Sequence, residues 1–140
     1  MAFVNSASTV GSGGDKIPVR LMGGKVRSAV AEFTFASDGT GTYTVPELYF
    51  KAGTVILDVA FNLSASAGGT ATLALGISGS TGKYRAAAVL TTTDSWVNVG
   101  LNAAMGVALT ANEQWLLTVA AAALPSSGRM LIRVLYVDNS

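Results

Sequence analysis

The side chains that could do chemistry are few, because the sequence contains no histidine and no cysteine. Thiolate nucleophiles, disulfides, typical zinc sites and histidine-dependent triads are thereby excluded. Paired carboxylates remain, and Asp38, Glu47, Asp58, Asp94 and Glu113 are the stock from which a glycosidase acid and base could be drawn. Each has a plainer role. Asp38 and Asp94 stand beside turn residues, Asp58 falls on the outward face of a strand, and no other catalytic signature accompanies them. No D-x-[DN]-x-[DN]-G loop offers oxygen ligands to calcium. The expectation is a chain without enzymatic activity, metal or cofactor.

Two glycine-rich segments invite a phosphate-binding reading, and both fail on spacing. In GISGSTGKY, Gly82-Lys83 resembles the end of a Walker A motif, but Ile77 stands where the first glycine belongs and Tyr84 follows the lysine. A glycine-rich hairpin tip is expected there instead. In VGSGGDK, Lys16 occupies the place of the third glycine of a dinucleotide fingerprint, and no βαβ pattern follows.

Aromatic side chains could form sugar-binding platforms, with Trp96, Trp115, Tyr43, Tyr49 and Tyr84 as candidates. Trp115 shares a strand face with Leu117 and Val119 and is assigned to the core. Trp96 lies opposite Val97 and Val99, next to Asn98, and is the candidate exposed contact, either for carbohydrate or for another subunit. The sequon Asn62-Leu63-Ser64 has no secretion signal to accompany it. The N-terminus MAFVNSAS lacks a basic stretch before an apolar run, so synthesis in the cytoplasm is expected.

The elements that must position these residues follow from composition and periodicity. At 140 residues and 14.2 kDa, the chain has the size of a single domain. Apolar residues make up 50% and mean hydropathy is +0.47, but no run approaches the roughly 20 apolar residues of a membrane-spanning helix. Charged residues are only 12%, against about 25% in typical domains. In their place stand 27 Ser plus Thr, 22 Ala and 16 Gly. A coat of small hydroxyl-bearing residues suits close packing against neighbours, whereas a lone monomer near zero net charge is prone to associate. The net charge of +1 gives no case for nucleic acid.

Residues 1–28 are glycine-rich and lack sustained periodicity, so they read as an extended N-terminal arm. The arm carries Lys16, Arg20, Lys25 and Arg27 against Asp15, interspersed with Ile17, Val19 and Leu21. Such a segment can order against a partner and wrap its surface. From residue 29 to 140 the dominant period is two, the mark of half-buried strands. Ala31, Phe33 and Phe35 share one face; Val55, Leu57, Val59, Phe61 and Leu63 share another; Ala71, Leu73, Leu75 and Ile77 a third. A turn at Ala67-Gly68-Gly69 predicts a hairpin between the last two. Segments 42–45, 83–90, 95–101, 113–120 and 129–137 complete a set of about eight strands. The predicted core therefore comprises Phe33, Phe35, Leu57, Val59, Phe61, Leu73, Leu75, Trp115 and Leu117. Short strands between frequent turns indicate an all-β, antiparallel, jelly-roll-like sandwich. The last strand is apolar on both faces, so its outer face is expected to be covered by the arm, a loop or another subunit.

Several segments together carry a family resemblance: Lys51-Ala52-Gly53 before Val55 to Val59, Gly68-Gly69-Thr70 before a leucine-alternating strand, Lys83-Tyr84 followed by alanines, and the closing Leu135-Tyr136-Val137. Over about residues 45–137 the chain resembles the capsid cement or decoration proteins of tailed bacteriophages, in particular the jelly-roll cement proteins of short-tailed Bordetella phages. The resemblance implies a structural protein on the outer surface of the phage head that binds the major capsid protein and joins adjacent capsomers. It also implies a homo-oligomer, with a homodimer favoured over a trimer. In that setting Lys16, Ile17, Val19, Arg20, Leu21, Lys25 and Arg27 are the expected capsid contacts. The alternative is a virion- or tail-associated module that binds host glycans through Trp96.

Overall fold

The computed structural model describes residues 25–138. Eight strands follow in order: β1 (Val26–Thr34), β2 (Gly41–Phe50), β3 (Val55–Leu63), β4 (Thr72–Ile77), β5 (Ser80–Ala88), β6 (Val97–Asn98), β7 (Glu113–Ala120) and β8 (Arg129–Val137). A 3-10 turn, Asn102–Ala104, lies between β6 and β7. The strands form two four-stranded antiparallel sheets, ordered β1-β8-β3-β6 and β2-β7-β4-β5. Partners are nested: β4 pairs with β5, β3 with β6, β2 with β7 and β1 with β8. Every connection crosses between sheets except β4 to β5, the tip of the nest. This is a jelly-roll β-sandwich.

The tip is the glycine-rich hairpin, closed where Ile77 pairs with Ser80. Gly79 there has a φ of +86°, which an L side chain adopts only at a cost. Between the sheets, Ile56, Val59, Phe61, Met130, Ile132 and Val134 face Leu48, Leu73, Leu75, Trp115, Leu117 and Val119, and all are essentially buried. Burying each large apolar side chain contributes about 1.5–3 kcal/mol. Phe35 closes one margin of this core.

Several expectations are corrected. Leu57 is 41% exposed, while Ile56 is fully buried. Ile56 opposes Tyr136 and Asp58 opposes Leu135, so Leu57 is the extra residue of a β-bulge. The bulge turns Leu57 away from the core, and Val59, Phe61 and Leu63 resume the inward phase. Phe33 is only partly buried; it packs edge-on against Tyr43, with ring centroids 5.8 Å apart. The sandwich begins at Val26 rather than at residue 29, because the far end of β8 needs a partner: Val26 pairs with Val137 and Arg27 with Tyr136. Arg27 therefore belongs to a strand.

β3 and β4 do not form a hairpin, since they lie in different sheets and the Ala67-Gly68-Gly69 turn carries the chain across the core. The strand expected at 95–101 shrinks to Val97–Asn98. Beyond it, Val99 N–H still bonds Val59 O at 2.9 Å, but Leu101 N–H reaches Tyr84 O in the other sheet at 3.1 Å. β2 continues past residue 45 through Pro46, which an edge strand tolerates because no donor is needed on its open side. The register breaks between Thr44 and Tyr49, and the Gln114 amide fills the gap by donating to Val45 O (2.6 Å) and Leu48 O (3.3 Å).

Candidate interaction surface

Alternation along the strands decides which side chains the sandwich shows to the outside. In the β1-β8-β3-β6 sheet, Val30, Arg133, Ala60 and Asn98 align as one transverse row. The Arg133 guanidinium lies 4.4 Å from the centroid of the Trp96 ring, and its Nη2 is 3.7 Å from Asp58 Oδ2. Its Nε is buried and has no hydrogen-bond partner among the described residues. Trp96 remains 41% exposed. Around this group lie exposed Val26 and Val30 and half-buried Leu131 and Leu135. A second pair, Arg129 to Glu32 at 3.4 Å, is well exposed and contributes little to stability. The face thus combines apolar side chains with two cations and two anions already matched to one another.

The opposite outer face is of another character. Thr42, Thr118 and Ala74 form one row and Thr44, Leu116 and Gly76 the next. The hydroxyls of Thr42 and Thr118 lie 3.3 Å apart, and Thr72 donates to Ala120 O at 3.4 Å. Leu116 apart, these rows present small and hydroxyl-bearing side chains and no charged one. Gly76 is required in that row, because a Cβ would lie 2.2 Å from Ser80 O.

One cluster of titratable groups is buried. Glu113, at the start of β7, pairs with Lys83 and accepts a 2.5 Å hydrogen bond from the Tyr84 hydroxyl. The Tyr84 ring stacks on Trp115 at 3.9 Å. Burial pushes the Tyr84 hydroxyl well above its ordinary pKa, reinforced by its bond to Glu113 and by that carboxylate's charge. The Tyr84 hydroxyl and the Lys83 ammonium thus engage the two oxygens of Glu113. The motif-like Lys83 is an ion-pair partner here. Asp38 accepts from the Ala36 N–H at 3.0 Å, the turn role its neighbours suggested. Among the described residues no three acidic side chains converge as metal ligands, and no helix is long and apolar enough to cross a membrane.

Of the expected contact residues, Lys16, Ile17, Val19, Arg20 and Leu21 lie outside the described residues. Lys25 and Arg27 are exposed at the start of β1, at one margin of the sheet that carries Trp96 at the other. Trp115 is fully buried. Sequence reasoning missed the Arg133–Trp96–Asp58 group and the exposure of Val26 and Val30. Arg133 stands out as the charged residue in the middle of an apolar run, but its partners come from segments whose adjacency only the nested topology reveals.

No protein-family model matches the chain, and no curated protein matches it either. Solved structures do share its fold. A chain of the cyanophage Pam1 capsid asymmetric unit superposes with a TM-score of 0.67 at 24% identity, covering 99% of both chains. A chain in the capsid of Ralstonia phage GP4 gives 0.63 at 17% identity, over 84% of this chain and 86% of the other. One in the acid-stable capsid of Helicobacter pylori bacteriophage KHP30 gives 0.61 at 19% identity, over 82% and 89%. The fold is that of the β-sandwiches found in these three phage capsids.

Proposed function

We propose that the chain is a virion structural protein that binds the outer surface of a phage head and cements adjacent capsomers. The observation that carries this reading is the fold shared over nearly the whole length with a chain of a phage capsid. The surface supports it. One outer face is low and rich in threonine and alanine, the other is apolar with internally matched charges, and both suit close packing. Trp96 supports the cementing reading over glycan binding, because the Arg133 guanidinium already takes one face of the indole that a sugar ring would use.

The mechanism needs no enzymology. A shell under outward pressure from packaged genome opens at the seams between capsomers, and a protein bound across a seam must be released before the seam parts. An interface of standard size, about 1,600 Å², does not set the affinity by itself. Two footprints joined in a homodimer add avidity through effective concentration. The major capsid protein is the partner, and the basic, apolar-punctuated arm supplies one footprint.

The deciding measurement is the copy number in purified virions, by quantitative mass spectrometry against the major shell protein. A ratio within a small factor of one is expected. A handful of copies per particle would move the chain to the tail or fibres and favour the glycan-binding alternative, and absence from the virion would end the reading.

A further inference from the structure

The four sheet edges are not equally protected. Exposed edges invite pairing with another chain, and proteins blunt them by shortness, proline, bulges or charge. β6 is two residues long. β2 contains Pro46 and a register break, and β5 carries Lys83 and Arg85 and two breaks in its pairing with β4. β1 is neither short nor interrupted by proline or a bulge, and its two charges, Arg27 and Glu32, are of opposite sign. It pairs with β8 over nine consecutive positions without a shift, contains neither glycine nor proline, and pairs with no other strand among the described residues. Val26 and Val30, on its outward face, are 61% and 51% exposed.

We propose that the open edge of β1 is a two-fold pairing edge, on which β1 of a second copy of this chain adds antiparallel and joins two four-stranded sheets into one of eight. The charge order along the strand favours this occupant in an antiparallel arrangement. Lys25 and Arg27 lie at its beginning and Glu32, which also meets Arg129, near its end on the other face, so antiparallel pairing brings the basic end of each copy to the acidic end of the other without directly opposed ion pairs. Parallel pairing would align like charges. Identical antiparallel strands are self-complementary, as a two-fold interface requires.

The chain outside the described residues adds a second argument. Residues 1–24 enter at Lys25, so in this pairing each copy's first 24 residues start beside the last residues of its partner's β1. Fully extended they reach up to about 80 Å, enough to add contact well beyond the paired strands. The inference rests on the homodimer reading given above and names the edge responsible.

The chain has no cysteine, so single-cysteine variants at Val26, Ser28, Val30, Glu32 and Thr34 test it without background. Only the position nearest the two-fold axis brings its own copies within disulfide reach. The full-length variants are oxidised, their folding is checked by thermal unfolding, and dimer content is followed by sedimentation. Cross-linking is expected to peak at one position on β1 and to fall at least about tenfold two positions away. The double variant V26K/V30K is expected to weaken dimerisation at least about tenfold while remaining folded. A dimer that survives V26K/V30K, or that cross-links through Asn98→Cys on the opposite edge, would overturn the β1 assignment and leave the homodimer reading standing. A chain monomeric at all concentrations would overturn both.

Discussion

The Arg133 guanidinium lies over the Trp96 indole, 4.4 Å from its centroid, and so ties β8 to the entry of β6 across the strand between them. Ala60 sits in that intervening strand, opposite both Arg133 and Asn98, and is fully buried although it points outward. A small residue beneath lets the clasp close.

Trp96→Ala is expected to cost about 1–2 kcal/mol of stability, from the lost cation–π contact and the apolar area beneath the ring. Chemical denaturation measures this. If the clasp is also part of the capsid footprint, head binding falls at least about tenfold, as for an interface anchor; binding equal to wild type in co-sedimentation would remove Trp96 from the contact.

The bulge in β3 makes adjacent positions unequal. Ile56→Ala should lose about 2–5 kcal/mol by emptying a core site, whereas Leu57→Ser should lose less than about 1 kcal/mol. Equal losses in denaturant titrations would contradict the register drawn between Ile56 and Asp58.

Tyr84 gives stability a pH dependence at the alkaline end. Its pKa in the folded chain is raised above the ordinary value of 10.0, chiefly by burial. Its contribution is fully present below pH 10, and above it the unfolded chain releases a proton that the folded chain keeps. Stability should therefore decline above pH 10 by up to about 1.4 kcal/mol per pH unit from this group. Tyr84→Phe should be less stable at neutral pH, through loss of the bond to Glu113, and should show a shallower decline. An unchanged slope would mean that Tyr84 ionises freely in the folded protein.

Removing residues 1–24 leaves all of β1 in place. The truncated chain is expected to keep its β-sheet circular dichroism and its cooperative unfolding, and to lose binding to heads. Undiminished binding would assign the capsid footprint to the sandwich alone.

Much of the fold was legible because β7 and β8 alternate cleanly: their expected bounds, 113–120 and 129–137, are those of the structure. The jelly roll likewise follows from many short strands and turns. What was hidden depends on partners distant in the chain. Leu57 reads as inward in any strict period of two, and only the pairing of β3 with β8 inserts the extra residue. The glycine turn at 67–69 looks local, yet β3 and β4 each find better partners across the nest. Trp96 was legible as an exposed aromatic, but nothing near it in sequence announces Arg133, 37 positions on.

The nine-position pairing of β1 with β8 has a mechanical meaning. Val26 opposes Val137, so the chain leaves toward residue 25 at the same end of the pair as toward residue 138. Tension between those two ends would peel the strands apart one bond at a time. A pull on residue 25 along the axis of β1, with the sandwich held elsewhere, acts at right angles to the interstrand hydrogen bonds and loads all of them together. β8 cannot yield alone, because its other side is paired to β3. A pull applied along β1 from residue 25 thus meets shear resistance from the first strand onward, whereas a pull between the two chain ends meets the pairs one at a time.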